Sequence, residues 1–280
     1  MLGLGNILST SSYVGGFENN YSLEFDATDT YLNCGTLNTY LRDVQKFTIA
    51  MWIYIDTHTT SGQNGLFGKH QNDYHRTYSF INLDGIVYFG IANGTDATEN
   101  GHGKIGSGDA LSEDTWYHLA FVYDGTQSSA VTNTQNALRN KIYINGVNKT
   151  LTWSQTIPST TSDESTYGSN SLSIGRNEEN LSGIFDGEID EFGLWNVALG
   201  ATAISDIYND GKPHNLTKPI GAGVSNYNTT NATTDLQVYY RMGDGTEDGA
   251  GTTIYDMSAN SNNASMVNLT ASDYNSNVPS

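Results

Sequence analysis

Along most of this chain, apolar and polar residues alternate with the two-residue period of a β-strand, interrupted by Gly, Asn and Asp. In KFTIAMWIYID, Phe47, Ile49, Met51, Ile53 and Ile55 fall on one face and Thr48, Ala50, Trp52 and Tyr54 on the other, which predicts a strand covered on both sides. TYSFINLDGIVYFGI predicts a hairpin turning at Asp84-Gly85, and NKIYINGVNKTL another turning at Asn145-Gly146, the pair preferred by a type I′ turn. YSLEFDATDTYLNCG, DTWYHLAFVYDG, SLSIGR and GIFDGEIDEFGLWNVAL add further strands. A single helix is predicted in LGATAISDIYNDGKP, where Ile204, Ile207 and Tyr208 share one face and Gly211 and Pro213 mark the end. Short strands between turns predict an all-β fold, a two-sheet antiparallel sandwich or jelly roll.

The same pattern divides the chain. Residues 1–19 are Gly- and Ser-rich and read as an arm, residues 20–211 carry the strand series and the helix, and residues 212–234 read as a polar linker. In residues 235–280, Leu236, Val238, Tyr240 and Met242 alternate, but the segment is too short to bury a core alone. It is expected to complete the sandwich, in cis or in a neighbouring subunit.

Composition narrows the function classes. A net charge of −18 with only 12 Lys and Arg argues against nucleic-acid partners and anionic membrane surfaces, both of which need clustered cations. No stretch is long and apolar enough for membrane insertion, and the first residues lack the basic region of a signal peptide. The lone Cys34 excludes an internal disulfide framework and reads as a small buried hydrophobe.

The order YSLEFDATDTYLNCG, FTIAMWIYID, DTWYHLAFVYDG, KIYINGV, SIGR and GEIDEFGLWNVALGATAISDIY resembles the laminin-G-like jelly roll of the concanavalin A-like superfamily, over roughly residues 20–210. The resemblance implies two packed antiparallel sheets, with the helix following the IDEF strand and Gly200 where a Ser cap is usual. YYRMGDG and TTIYDMSANSNN are similar to a segment that usually precedes the FDATDTY strand, which reads as a circular permutation, with a truncated second unit as the alternative. The MLGLGN start and this tail also resemble structural proteins of marine tailed phages, which implies a virion or extracellular surface, other virion proteins as partners and a homo-oligomer.

The superfamily includes retaining glucanases, so the acids of DGEIDEFGLW are candidate catalysts. Their carboxylates would need to lie about 5–5.5 Å apart on one strand face. In an unbroken strand Glu188 and Asp190 share that face with Phe192, while Glu191 points away unless a bulge intervenes, and the longer spacing meets Gly193. This phase excludes a retaining pair, so no catalytic residue is assigned. Asp26, Asp29 and Asp190 offer hard oxygen ligands for calcium, which members of the superfamily often hold; alternatively Asp26 and Asp29 only shape their turn. Trp153, Tyr74, His75 and Tyr167 are read as loop residues that would stack on and hydrogen-bond a ligand, whereas Trp52, Trp116 and Trp195 fall within strands and read as core. The expectation is a non-enzymatic module binding a glycan or a protein surface, the alternative a carbohydrate-active enzyme or its binding module.

Overall fold

The strand with two apolar faces lies at the middle of an antiparallel sheet in the computed structural model, which describes residues 17–58, 63–94, 100–128, 133–163, 165–177, 183–221, 223–244, 246 and 249–280. This eight-stranded sheet runs β10 (Val147–Asn148), β9 (Asn140–Ile144), β8 (Trp116–Asp124), β3 (Lys46–Ile55), β13 (Asp186–Trp195), β1 (Ser22–Asp26) and β17 (Tyr274–Asn275), with β14 (Leu236–Tyr240) also paired to β13. A nine-stranded sheet faces it, in the order β11 (Leu151–Ser154), β7 (Asn100–Ile105), β6 (Val87–Asn93), β5 (His75–Ile81), β4 (Asn64–Asn72), β12 (Ser173–Ile174), β2 (Tyr31–Asn33), β16 (Ala264–Val267) and β15 (Thr253–Ile254). The molecule is therefore the all-β two-sheet sandwich that the alternation predicts.

Between the sheets, Phe47, Ile49, Met51, Ile53 and Ile55 of β3 meet Phe67, Val87, Phe89 and Ile91 of the other sheet in one buried cluster. The second face of β3 is covered too. Ala50, Ala120 and Val122 form a shallow seat of small side chains beneath Trp195 and helix α4 (Ala201–Tyr208), which buries Ala203, Ile204 and Ile207. Thr48 pins the segment after β13 to this surface: its hydroxyl donates to Val197 O (2.8 Å) and accepts from Leu199 N (2.9 Å). The Asn145-Gly146 turn has φ of 50° and 76°, the double left-handed conformation of a type I′ turn.

Helix α4 (Ala201–Tyr208) is where the periodicity predicts one, but α1 (Asn38–Leu41), α2 (Asn133–Arg139) and α3 (Ser165–Ser169) are additional. They span one or two turns, too few for a 3.6-residue period to stand out in sequence. Residues 212–234, read as a linker, carry Leu216, Tyr227 and Ala232 into the cluster around Trp195. In residues 235–280, β14 and β17 join the first sheet and β15 and β16 the second, in cis. A register shift beside Gln237 breaks the alternation expected there: Val238, Tyr240 and Met242 enter the central core, while Leu236 joins the Trp195 cluster.

Candidate functional site

The acids of DGEIDEFGLW sit on β13, and the strand is bulged where they cluster. Its pairing with β3 moves from Asp190–Trp52 to Gly193–Ala50, so one extra residue is accommodated, and Glu191 takes a φ of 49°. The unbroken phase read from the sequence is thus corrected. Phe192 turns into the central core, stacking 5.8 Å from Tyr240, and the position in phase with Glu188 and Asp190 becomes Gly193. The bulge also marks a junction, because β1 pairs with the first half of β13 and β14 with the second.

Side chains at this junction clamp the two strands together. Asp190 accepts from Asn19 Nδ2 and from Glu191 N, both at 2.8 Å. Glu191 accepts from Arg241 Nε (3.0 Å) and from the Tyr239 hydroxyl. Asp244 accepts from the backbone N–H groups of Asn20 (2.8 Å) and Tyr21 (3.2 Å). Burial raises both carboxyls of the Asp190–Glu191 pair, while the Arg241 guanidinium draws Glu191 back down. Glu188 is buried as well, accepting from Asn275 Nδ2 (3.2 Å) and Asn277 Nδ2 (3.1 Å), and burial pushes it up to about 7.

The three expected calcium ligands do not converge. Asp26 faces Asp186 in the β1–β13 register, whereas Asp190 lies four positions further along β13 and inside the clamp. Asp26 Oδ1 accepts from Thr28 N (3.0 Å) and Thr30 Oγ1 (2.8 Å), and such bonds outweigh partial burial to hold its carboxyl below the usual range. The Asp29 carbonyl accepts from Asn268 Nδ2 at 3.3 Å. Among the described residues no three His, Cys, Asp or Glu side chains stand together as a metal-holding group.

The four ligand candidates are dispersed too. Tyr74 is 42% exposed at the β4–β5 turn, and beside it His75 Nδ1 lies 2.8 Å from Ser162 Oγ at the start of β5. Trp153 belongs to β11, three strands from β5, and is half-buried against the central core instead of standing on a loop. Tyr167 is fully buried in α3, donating to Thr77 Oγ1 (3.1 Å) with the Lys69 ammonium 4.9 Å above its ring. It is a support, because Lys69 in turn donates to Thr36 O and Asn170 O at the floor of a cavity.

That cavity, of about 290 Å³, opens on the outer face of the nine-stranded sheet and is lined by Tyr31, Asn33, His70, Asn170, Ser173 and Arg176 among others. The Arg176 guanidinium lies 3.4 Å from the Tyr31 ring centroid, and its Nε donates to Ser173 Oγ at 3.0 Å. One wall crosses directly over β4: a side chain at Gly68 would meet Asn177 O at 2.2 Å, so only glycine fits beneath it. Gly68 pairs with Tyr78, which brings the cavity up against a row of rings on the same face. Tyr78 and Phe80 stack at 6.0 Å, Phe80 and Tyr88 at 4.5 Å, and His102 lies 5.4 Å beyond, with Arg76 over Tyr78 and Lys104 over Tyr88. Burial, with Arg76 and Lys104 nearby, lowers His102 and keeps its imidazole neutral.

Sequence reading missed this row because the usual polarity of the strand is inverted. In TYSFI the polar Thr77 and Ser79 are buried, while the Phe80 ring stays half-exposed and stacks on Tyr78, itself only 4% exposed. Ser79 is tolerated inside because its hydroxyl donates to Tyr88 O at 2.7 Å. The signal was present in the hairpin, whose turn sets Phe80 directly opposite Tyr88.

Comparison with known proteins follows the same outline. Residues 26–205 match the family model described as the concanavalin A-like lectin/glucanases superfamily, laminin-G type. No curated protein matches the chain. Among solved structures, a protein of Bacteroides ovatus whose carbohydrate binding is itself a proposed role aligns at 16% identity with a TM-score of 0.57, over 94% of this chain and 62% of that one. The chain thus spans 62% of the length of that relative. The CBM40 of the Ruminococcus gnavus IT-sialidase, bound to α2,3-sialyllactose, aligns at 12% identity with a TM-score of 0.51, over 67% of this chain and 96% of that one. Both likenesses are of fold, and with more than half of the 280 residues under the family model, the chain belongs to the laminin-G type of the concanavalin A-like lectin/glucanase superfamily.

Proposed function

We propose that this chain is a non-enzymatic glycan-binding module of lectin type, using the outer face of its nine-stranded sheet. The observation that carries the reading is the inverted strand β5, which buries the hydroxyls of Thr77 and Ser79 and leaves Phe80 half-exposed against Tyr88, on the strand next to the one that lines a polar cavity. A sugar offers an apolar C–H face to aromatic rings and hydroxyls to amides, hydroxyls and guanidinium groups, and this surface has both kinds of partner side by side. The carbohydrate ligand of the Ruminococcus gnavus domain and the role proposed for the Bacteroides ovatus protein support the same class. The acids of β13 take no part: Glu188 and Asp190 are buried beneath Asn275, Asn277 and Asn19, and Gly193 stands where a second carboxylate would be needed.

This reading does not call on calcium as a bridge to the sugar: Asp26, Asp29 and Asp190 stand apart, and among the described residues no three acidic side chains form a metal-holding group. Burial raises Asp56 and Asp186, and neighbouring carboxylates, Glu24 among them, raise them further. The resemblance to tailed-phage proteins supplies the setting, a virion or extracellular surface and a homo-oligomer, which copurification with particles and light scattering test.

A glycan array followed by titration calorimetry tests the binding. Tyr88→Ala and Arg176→Ala are each expected to weaken binding about tenfold or more, the loss of roughly 1.4 kcal/mol. Glycan affinity untouched by both substitutions would overturn the assignment of the face.

A further inference from the structure

The charges of this acidic chain are divided unevenly between its two sheets. The sequence holds 30 Asp and Glu against 12 Lys and Arg. In the eight-stranded sheet, β13 alone carries Asp186, Glu188, Asp190 and Glu191. No strand of the nine-stranded sheet contains an Asp or a Glu, whereas β4, β5 and β7 supply Lys69, Arg76 and Lys104. Acidic residues are uncommon in strands, but β13 shows that this chain accepts them there. Their exclusion is thus a property of the second sheet.

Two of its cations stand over the rings. Phe80 pairs with Tyr88 and Tyr88 with Lys104, so ring, ring and ammonium follow one another across β5, β6 and β7, about 4.8 Å from strand to strand. Lys104 is exposed, with its Nζ 5.6 Å from the Tyr88 ring centroid and 3.5 Å from the Tyr88 hydroxyl. Among the described residues it enters no ion pair. In the adjoining row, Arg76 lies 4.4 Å from the Tyr78 ring centroid. Its own ion pair is with Asp73, a side chain 75% exposed, and so exposed a partner holds it weakly. His102 registers both cations: after burial, Arg76 and Lys104 are what hold it below the ordinary histidine range.

We propose that this face selects acidic glycans: a sugar seated on Tyr88 and Phe80 directs a carboxylate or sulfate to the Lys104 ammonium, and Arg76 adds attraction from the adjoining row. Acid selectivity rests on the glycan-binding reading of this face and narrows it from sugars at large to anionic ones. A neutral sugar meets the same rings but leaves Lys104 to water, whereas an anion gains a charge-assisted bond there. The net charge of −18 repels the same anion from the rest of the surface, which confines it to this face.

The full chain is screened against oligomers of galacturonate, mannuronate and glucuronate, against 3′-sialyllactose and 3′-sulfolactose, and against the methyl esters of the carboxylates and plain lactose. The tightest acidic probe is then titrated calorimetrically beside its neutral counterpart. At low salt the acidic form is expected to bind about fivefold tighter or more, the worth of an exposed ion pair. The advantage is expected to shrink toward about 1 M salt, where charges are screened within about 3 Å. Lys104→Gln is expected to bring the ratio of the two affinities close to one, and Lys104→Glu to reverse it. Lys46→Gln removes the same charge from the other sheet and is expected to leave the ratio unchanged. Either a carboxylate or a sulfate hit supports the proposal and identifies the anion. Neutral probes bound as tightly as acidic ones, with Tyr88→Ala still weakening both, would leave the glycan-binding face standing and overturn its acid selectivity. A preference indifferent to both Lys104 substitutions would overturn it too, and a chain that binds no glycan at all would overturn both readings.

Discussion

The two sheets of this sandwich have opposite outer faces. The eight-stranded sheet carries the residues that look most like chemistry, Glu188, Asp190 and Glu191, and all three are buried. The nine-stranded sheet carries no such signature, yet Phe80, Tyr88 and His102 remain half-exposed on β5, β6 and β7, the strands that lead away from a polar cavity lined by β4 and β2. The difference lies in what covers each face. Helix α4, residues 212–235 and the segments around Asn19 and Asn277 roof the first sheet, so its polar groups are spent on each other. Carboxylates on a strand are therefore a poor guide to a site until their cover is known, and rings turned outward over buried hydroxyls are the better one.

That contrast can be tested from its strongest element to its weakest. Trp195→Ala, at the centre of the roofed face, removes a fully buried ring beneath Leu216 and Tyr227. It should cost about 3–5 kcal/mol in denaturant unfolding. Tyr88→Ala on the open face should cost at most about 1 kcal/mol, the worth of one cross-strand ring pair. Equal losses would mean that the open face is structural as well.

Glu188→Gln comes next. The native carboxyl is pushed up to about 7 by burial, so the folded state retains a proton that the unfolded chain has released. The stability this provides is complete below the ordinary glutamate range and is lost as pH rises through 7. Burial pushes His118 and His214 the other way, down to about 3 and about 4, so their contribution is present above the ordinary histidine range and is lost on acidification. Gln, which mimics the protonated acid, should raise Tm at pH 8 by a few degrees and leave it unchanged at pH 5. A melting curve equally improved at both values would place the effect elsewhere. The smallest effect is that of calcium: added ion should raise Tm slightly by relieving repulsion near Asp56 and Asp186, and a chelator should leave glycan affinity unchanged. Affinity lost on chelation would tie the acids to the ligand after all.

How far the sequence reaches follows from the same residues. The alternation in β3 is legible because both of its faces are apolar, and Asn145-Gly146 is legible because few pairs accept two left-handed residues in succession. The bulge at Glu191 is not, since nothing local distinguishes it from an ordinary strand position; it exists because β1 gives way to β14 along β13. Tyr167 looked available because its neighbours are polar, but the folded chain buries it fully and brings the Lys69 ammonium over its ring.

The clamp at the bulge also sets an order of events during synthesis. The bond from Asn20 N to Asp244 Oδ2 spans 224 positions, and β13 receives one neighbour from each side of that interval. A chain emerging from the ribosome must hold β1 and β13 without β14 until the region around Asp244 has been made. Until then the half of β13 from Phe192 to Trp195 lacks the strand that β14 provides, and Glu191 lacks Arg241 and Tyr239 as partners. The partners that satisfy this acidic stretch therefore come with the last strands to be made, Arg241 and Tyr239 among them.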